Sequence, residues 1–236
     1  MKWIRKIHTV YGVVIFSILF LLLLVPFLIP IFFAKKHNWV GKLNRIWAKL
    51  LCIMVFLPYK VECKTSLSKN QQYIFCSNHF SYFDIVAMGL NPFNTIFVGK
   101  TSLNRIPLFG WMYSKLHITV NRKKLRSKYS SYLKSKNAID EGKSLAIFPE
   151  GGIVCDIPPK LMSFKDGAFR LAIEKKIPIV PVSIKNTWKI MPPNKFLLHC
   201  GKVHLIIHEK IDTNQLKEED VEALKQKTFQ IIEGGL

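Results

Sequence analysis

The chain reads YIFCSNHFSYFD from Tyr73 to Asp84. The apolar run Tyr73-Ile74-Phe75-Cys76 predicts a buried strand, and the pattern from Asp84 to Leu90 is typical of the start of a helix. Ligand sites of α/β domains form where such strands end. We therefore place His79 in the turn and Asp84 in the first helical turn, from which Asp84 can fold back toward His79.

Two interpretations of His79 and Asp84 follow from these residues. A carboxylate on one imidazole nitrogen fixes the tautomer, leaves the other nitrogen free as a base and stabilises the imidazolium that forms. Alternatively, Ser81-x-x-Asp84 is a capping box in type, and Asp84 only binds backbone N–H groups at the helix start. Both interpretations fit this segment taken by itself.

The rest of the chain after Tyr59 alternates between short apolar runs and helical patterns. Strands are predicted at 95–98, 118–120, 144–148, 179–184 and 203–207, and helices at 124–140, 167–175 and 218–232. This alternation predicts an α/β fold with a largely parallel central sheet flanked by helices. Within the basic helix 124–140, an apolar stripe of Tyr129, Tyr132, Leu133 and Ile139 is expected.

The N-terminus differs in texture from the rest. Val10 to Ala34 contains no charged residue, and a second apolar stretch runs from Ile46 to Pro58. Such a run is long enough to cross a bilayer, and we expect Pro26 and Pro30 to kink or break it. A single span and two helices that dip into one leaflet both remain open, and a cleaved signal peptide is disfavoured by the basic residues that follow. We predict membrane-attachment helices in residues 1–58 and a catalytic domain in residues 59–236.

Composition restricts the partners and the compartment. The 236 residues carry 35 Lys and Arg against 15 Asp and Glu, a net charge of +20. Such an excess needs an anionic partner such as nucleic acid, anionic lipid or a phosphorylated substrate. Because no nucleic-acid-binding motif is present, we expect no nucleic acid. The five widely spaced cysteines indicate neither a disulfide framework nor a zinc site, so the catalytic part is expected to face a reducing cytosol.

The motif Asn78-His79-x-x-x-x-Asp84 resembles the first motif of the glycerolipid acyltransferases, the PlsC-like family that includes 1-acyl-sn-glycerol-3-phosphate acyltransferases. The resemblance implies that His79 is the general base and that Asp84 orients it. The segment from Lys100 to Trp111 resembles the family's K-x-x-L-x-x-x-P-x-x-G-W pattern. There we expect Pro107 and Gly110 to form a turn that Trp111 packs down.

Two further segments extend the resemblance. Lys100 offers a charge suited to phosphate, and Arg122 resembles the arginine implied in gripping the acceptor phosphate. Phe148-Pro149-Glu150-Gly151-Gly152 resembles the third motif, F-P-E-G-[ST], whose glycines allow a turn with N–H groups that can face an anion. We expect Glu150 to bind the acceptor's hydroxyl or to hold Arg122 and Lys100. The sequence departs from the family at Gly152, where a hydroxyl residue is usual, and at Ile153, where an arginine is common.

The resemblance implies an enzyme that moves a fatty acyl group from acyl carrier protein or coenzyme A to the free hydroxyl of lysophosphatidic acid. It implies no metal, no cofactor besides that thioester co-substrate, and attachment to membrane lipid, with the catalytic domain on the cytoplasmic side of the cell membrane. Glycerol-3-phosphate or another lysolipid is an alternative acceptor. A non-catalytic protein that binds anionic lipid is the alternative from another class.

Overall fold

The structure is a computed structural model that describes residues 2–155 and 157–236, with the side chains of Lys2 and Ala34 left aside. The helices are α1 (Lys2–Phe32), α2 (Asn38–Met54), α3 (Asp84–Gly89), α4 (Phe109–Leu116), α5 (Leu125–Asp140), α6 (Gly167–Lys175), α7 (Thr187–Ile190) and α8 (Val221–Gly234). The strands are β1 (Tyr59–Cys63), β2 (Ile74–Ser77), β3 (Thr95–Lys100), β4 (Ile118–Val120), β5 (Ser144–Ile147), β6 (Ile179–Lys185) and β7 (Val203–Ile207). Short 3-10 turns cover Ala34–Lys36, Thr101–Arg105 and Glu218–Asp220.

The strands form one sheet in the order β1-β7-β6-β2-β5-β3-β4. The pairing of β6 with β7 is antiparallel, and every other pairing is parallel. This confirms the predicted α/β fold with a largely parallel sheet. The sequence pattern does not predict β1, because Lys60 and Glu62 interrupt its apolar residues, as expected for a strand at a sheet edge.

Helices cover both faces of the sheet. On one face, α5, α6 and α8 share a buried core with strand residues such as Ile74 and Ile179. On the other face, α2 and α3 pack with Phe75 and Val180, which alternate with the first set along the same strands. The sheet is thus buried from both sides, which explains its nearly continuous apolar strands.

Helix α1 contains Pro26 and Pro30 and continues through both to Phe32. The prediction that the prolines kink or break the apolar run is therefore wrong as to a break. Each proline removes one backbone hydrogen bond, but the apolar residues around it keep the helix as the form that satisfies their other backbone groups. The chain reverses only at residues 33–37, where α1 gives way to α2.

Helices α1 and α2 pack against each other and leave an apolar face uncovered. The face comprises residues spaced three or four apart along both helices: Trp3, Ile7, Val10, Val14, Ile18, Leu21, Val25 and Phe32 on α1, and Trp39, Ile46, Leu50 and Ile53 on α2. Within the described part of the chain, α1 is the one helix long and apolar enough to cross a membrane. The division into domains at residue 58 stays a prediction.

Helix α4 lies where the sequence analysis expected a turn. It begins at Phe109, so Gly110 lies in its first turn, and Trp111 is 43% exposed and does not pack the segment down. Gly110 is required for a different reason. A Cβ at this position would stand 2.4 Å from the backbone carbonyl group of Asn104, so only glycine allows α4 to approach the preceding 3-10 turn.

Helix α5 presents only part of its apolar residues to the core. Its buried side chains are Ser131, Ser135, Ala138 and Ile139, whereas Tyr129 is 64% and Leu133 39% exposed. The predicted apolar stripe is thus wrong at Tyr129 and Leu133. The small serine side chains let α5 approach the sheet, and each serine hydroxyl is satisfied by a carbonyl three or four residues earlier in the helix.

Candidate active site

Four neighbouring parallel strands end at one edge of the sheet, and each carries a residue expected at the site. His79 follows β2 by two residues and Glu150 follows β5 by three. Lys100 is the last residue of β3, and Arg122 follows β4 by two residues. Because β2, β5, β3 and β4 are adjacent in the sheet, these residues converge from positions far apart in the sequence.

The histidine and the aspartate meet as predicted. His79 Nδ1 lies 3.0 Å from Asp84 Oδ2, Asp84 is fully buried, and His79 is 8% exposed. The imidazole stacks on the ring of Phe148, with 4.1 Å between the ring centroids and 18° between the planes. A carboxylate can only accept, so Nδ1 carries the proton and Nε2 keeps its lone pair.

Asp84 also holds the turn itself. Its Oδ2 accepts hydrogen bonds from the backbone N–H groups of Phe80 and Ser81, both at 2.7 Å. The two interpretations of the sequence are therefore true together, because one oxygen organises the backbone of the turn and orients the imidazole. The capping box is only half formed, because the Ser81 hydroxyl donates to the carbonyl of Met191 and accepts from the N–H of Phe83.

Glu150 has different partners from those expected. Its Oε1 accepts a hydrogen bond from the backbone N–H of His79 at 2.7 Å, and its Oε2 accepts one from Met162 at 3.1 Å. Among the described residues it forms no ion pair with Arg122 or Lys100, which corrects that expectation. The carboxyl group is buried and braces the histidine turn (residues 78–83) against the loop that ends near Met162.

The environment of Glu150 favours its neutral form. Burial raises the pKa of this carboxyl from 4.5 to about 7, against the opposing effect of its two backbone hydrogen bonds, and the negative charge of Asp84 raises it further. Glu150 therefore changes protonation near neutral pH while it is bonded to the backbone of His79.

Arg122 binds the glycine turn, which is formed by Gly151 and Gly152. Its Nη1 donates a hydrogen bond to the carbonyl of Gly151, and burial lowers the pKa of its guanidinium. Gly151 has a φ of +83°, which favours glycine, and a Cβ at Gly152 would stand 3.3 Å from Nη1 of Arg122. Because Gly152 has no side chain, the guanidinium of Arg122 can lie directly beside it.

The other two cations of this edge differ in exposure and contacts. Lys100 is exposed and forms no ion pair within residues 2–155 and 157–236. Lys165 lies along the glycine turn, with its Cγ 3.6 Å from where a Gly151 Cβ would stand. Its position beside Gly151 depends on a loop of irregular structure, so the sequence pattern does not predict this contact.

An apolar cavity of about 450 Å³ opens beside the histidine turn. It is lined from the turn itself by Tyr82 and Phe83, and from α1, α2 and α4 by residues such as Phe16, Trp47 and Phe109. Neither the cavity nor the stacking of Phe148 on His79 follows from the sequence, although Phe148 belongs to the F-P-E-G motif. Both arise from packing between elements distant in the chain.

Comparison with known proteins agrees with this geometry. The sequence model of the family described as "Acyltransferase" matches residues 59–185, which include His79, Asp84, Lys100, Arg122 and Glu150. The chain belongs to the acyltransferase family. The predicted resemblance to PlsC-like proteins is confirmed.

Individual relatives of this acyltransferase are named for one reaction. The chain is 32% identical over 180 residues to the chloroplastic 1-acyl-sn-glycerol-3-phosphate acyltransferase of Arabidopsis thaliana. The match covers 75% of this chain and 49% of the relative. The chain is 30% identical to the 1-acyl-sn-glycerol-3-phosphate acyltransferase of Escherichia coli, over 74% of this chain and 71% of that one. The chain spans about half the length of the first of these relatives.

The fold also matches a solved structure. The crystal structure of the 1-acyl-sn-glycerophosphate acyltransferase PlsC from Thermotoga maritima superimposes with a TM-score of 0.78 at 25% identity. The match covers 98% of this chain and 95% of that one, so it includes the N-terminal helices as well as the sheet.

Proposed function

We propose that this acyltransferase moves a fatty acyl group from an acyl thioester to the free hydroxyl of lysophosphatidic acid, giving phosphatidic acid. The observation that carries the proposal is the contact of His79 Nδ1 with Asp84 Oδ2, which leaves Nε2 as a base at the sheet edge. The names of the relatives support lysophosphatidic acid as the acceptor.

The reaction follows from the roles of these groups. Nε2 of His79 takes the proton of the acceptor hydroxyl while its oxygen attacks the thioester carbonyl. Asp84 stabilises the imidazolium that forms, and the proton then goes to the thiolate that leaves as the carbonyl re-forms. Since the hydroxyl attacks the thioester directly, no acyl-enzyme forms.

The acceptor's phosphate is placed by cations of the neighbouring strands. Arg122 offers a planar fork that can bind two phosphate oxygens, and Lys100 adds an exposed point charge. The N–H groups of the Gly151-Gly152 turn are further donors for an anion. Glu150 acts through the backbone of His79 and not on the substrate.

The apolar surfaces serve the hydrocarbon chains and the membrane. The cavity beside Tyr82 and Phe83 can take a fatty chain next to the histidine turn. The uncovered apolar face of α1 and α2 fits the hydrocarbon of a bilayer, with the catalytic domain on the cytoplasmic side of the cell membrane. Both substrates then reach the site from the bilayer surface.

The test uses purified protein with acyl-coenzyme A and acyl carrier protein as donors and with lysophosphatidic acid, glycerol-3-phosphate and lysophosphatidylcholine as acceptors. We expect phosphatidic acid as the main product and a loss of about 10²–10⁴-fold in kcat for His79→Ala. Preferential acylation of another acceptor would replace lysophosphatidic acid in the proposal. Unchanged activity of His79→Ala would overturn the mechanism.

A further inference from the structure

The outer face of α5 carries an apolar ridge that the fold does not use. Leu125, Tyr129 and Leu133 are 82%, 64% and 39% exposed. They are spaced four residues apart, so they stand in one row along the helix, about 12 Å long. The helix buries serines on its other side, so sheet packing does not account for these three residues.

Cations surround this ridge. Lys123, Lys124, Arg126, Lys128 and Lys134 are on the same segment, and residues 121–139 contain no acidic residue. Lys136 is paired with Glu174, whereas Lys128 and Lys134 form no ion pair within the part of the chain that the structure describes. Apolar residues between unpaired charges of one sign suit a partner with an acidic, partly apolar surface.

The direction of α5 decides between a lipid surface and a protein. The helix begins three residues after Arg122, at the edge of the sheet that holds the site, and returns toward the opposite edge to reach β5. A membrane lying against the site edge would meet only its first turn, yet Leu133 and Lys134 lie two turns further on. Moreover, α5 packs against β4, β5 and α6, whereas α2 packs against α1, α3 and β3.

We propose that the ridge of Leu125, Tyr129 and Leu133 with its surrounding cations is the docking surface for an acidic protein that carries the acyl thioester. The inference rests on the proposed function, because it assigns the donor of that reaction. A carrier bound along α5 lies beside Arg122 at the site edge, from which a thioester on a flexible arm reaches His79. A coenzyme A thioester has no protein surface that could dock on this ridge, so its reaction does not depend on the ridge.

The experiment measures kcat and KM with two donors, acyl carrier protein and coenzyme A, carrying the same acyl chain. The variant is Lys128→Glu with Lys134→Glu, and the matched control is Lys202→Glu with Lys227→Glu, two exposed lysines on other elements. We expect KM for the acyl carrier protein to rise about tenfold in the α5 variant alone, with kcat and the coenzyme A reaction unchanged. Leu125→Ser with Tyr129→Ser should give the same donor-selective effect.

A direct measurement separates this inference from the proposed function. Binding of acyl carrier protein to immobilised wild-type enzyme should weaken in the α5 variants and at high salt, whether or not transfer is observed. Equal binding by wild type and variants, or no binding by wild type, overturns the docking surface. Loss of binding to vesicles of anionic lipid, with the carrier reaction unchanged, would assign the ridge to a membrane. Absence of transfer from either donor would overturn the proposed function alone.

Discussion

At the scale of single residues, the site depends on two buried carboxyl groups that face the same turn. Asp84 binds the imidazole of His79 and the N–H groups of Phe80 and Ser81 through one oxygen. Glu150 binds the N–H of His79 from the other side. Asp84 therefore fixes the imidazole ring of His79, and Glu150 fixes the backbone of the same residue. A small change at either carboxyl group should alter catalysis more than folding.

Replacing Asp84 by Asn separates its two roles. An amide oxygen can keep the two backbone hydrogen bonds, but it carries no charge to stabilise the imidazolium. We expect kcat to fall about 10²–10⁴-fold with KM nearly unchanged and the thermal midpoint of unfolding within a few degrees of wild type. Asp84→Ala loses both roles, so its midpoint should be lower. A kcat close to that of wild type for Asp84→Asn would contradict the assigned pair.

Arg122→Lys tests the phosphate site. Lysine keeps the charge but loses the fork that can bind two oxygens and the hydrogen bond to Gly151. We expect KM for lysophosphatidic acid to rise about tenfold, equivalent to about 1.4 kcal/mol, with little change in kcat. The control is Arg105→Lys, since Arg105 is exposed on the preceding 3-10 turn. Equal KM values for the two variants would remove Arg122 from the phosphate site.

Glu150→Gln should change how stability depends on pH. The pKa of Glu150 is raised in the folded protein from 4.5 to about 7, so its neutral form favours folding. This contribution to the free energy of unfolding is fully present below about pH 4.5 and is lost as pH rises through about 7. The total loss at high pH is about 3 kcal/mol.

The measurement compares urea unfolding of wild type and Glu150→Gln between pH 5 and pH 8. The glutamine cannot ionise, so the free energy of unfolding of the variant should fall less over this range than that of wild type. Glu219→Gln, at an exposed carboxylate, serves as the control and should follow wild type. Parallel curves for all three proteins would show that Glu150 titrates as an ordinary carboxylate.

At the scale of elements, the sequence predicted those whose pattern is local. Three elements have the predicted bounds: the strands at 118–120 and 203–207 and the helix at 167–175. The spacing of their apolar residues indicates which faces are buried, and this spacing is a local property of the sequence. Helix α4 was missed because Pro107 and Gly110 are typical of a turn. Helix α5 was assigned correctly and Ile139 is buried as expected, but Tyr129 and Leu133 face solvent because Ser131 and Ser135 face the sheet.

Two glycines at helix starts should respond in opposite ways to alanine. At Gly110 a Cβ would stand 2.4 Å from the backbone of Asn104, whereas at Gly167 nothing lies within 4 Å. We expect Gly110→Ala to lower the free energy of unfolding by about 1–3 kcal/mol through this overlap. Gly167→Ala should leave it unchanged or raise it by up to about 1 kcal/mol, because alanine favours the helix. Urea unfolding of both variants tests the contrast.

At the scale of the whole molecule, the apolar face of α1 and α2 and the cavity lie on connected parts of the structure. Phe16 and Trp47 line the cavity, while Val14, Leu21 and Ile46 point away from the fold. The two helices thus separate a lipid-compatible outer surface from an apolar interior space next to the histidine turn. This arrangement places the proposed transfer site beside the surface that is proposed to meet the membrane.

Attachment to membranes should depend on the outer face alone. We expect Val14→Lys with Leu21→Lys to release the enzyme from vesicles in a flotation assay, because two charges on this face oppose burial in hydrocarbon. Activity toward a short-chain, water-soluble acceptor should remain, since neither residue reaches the sheet edge. The control is Val14→Ala with Leu21→Ala. Continued flotation of the lysine variant would show that attachment lies elsewhere.

The sequence by itself determined the α/β class and the meeting of His79 with Asp84. The pair lies within one turn, so its geometry depends on local backbone structure and on residues five apart. The partners of Glu150 and Arg122, the exposure of Tyr129 and Leu133 on α5 and the cavity were decided only by tertiary structure. His79 and Glu150 are 71 residues apart, and they touch because β2 and β5 are neighbours in the sheet. Periodicity predicts that strands exist, but the order of strands follows from how all the helices cover the two faces together.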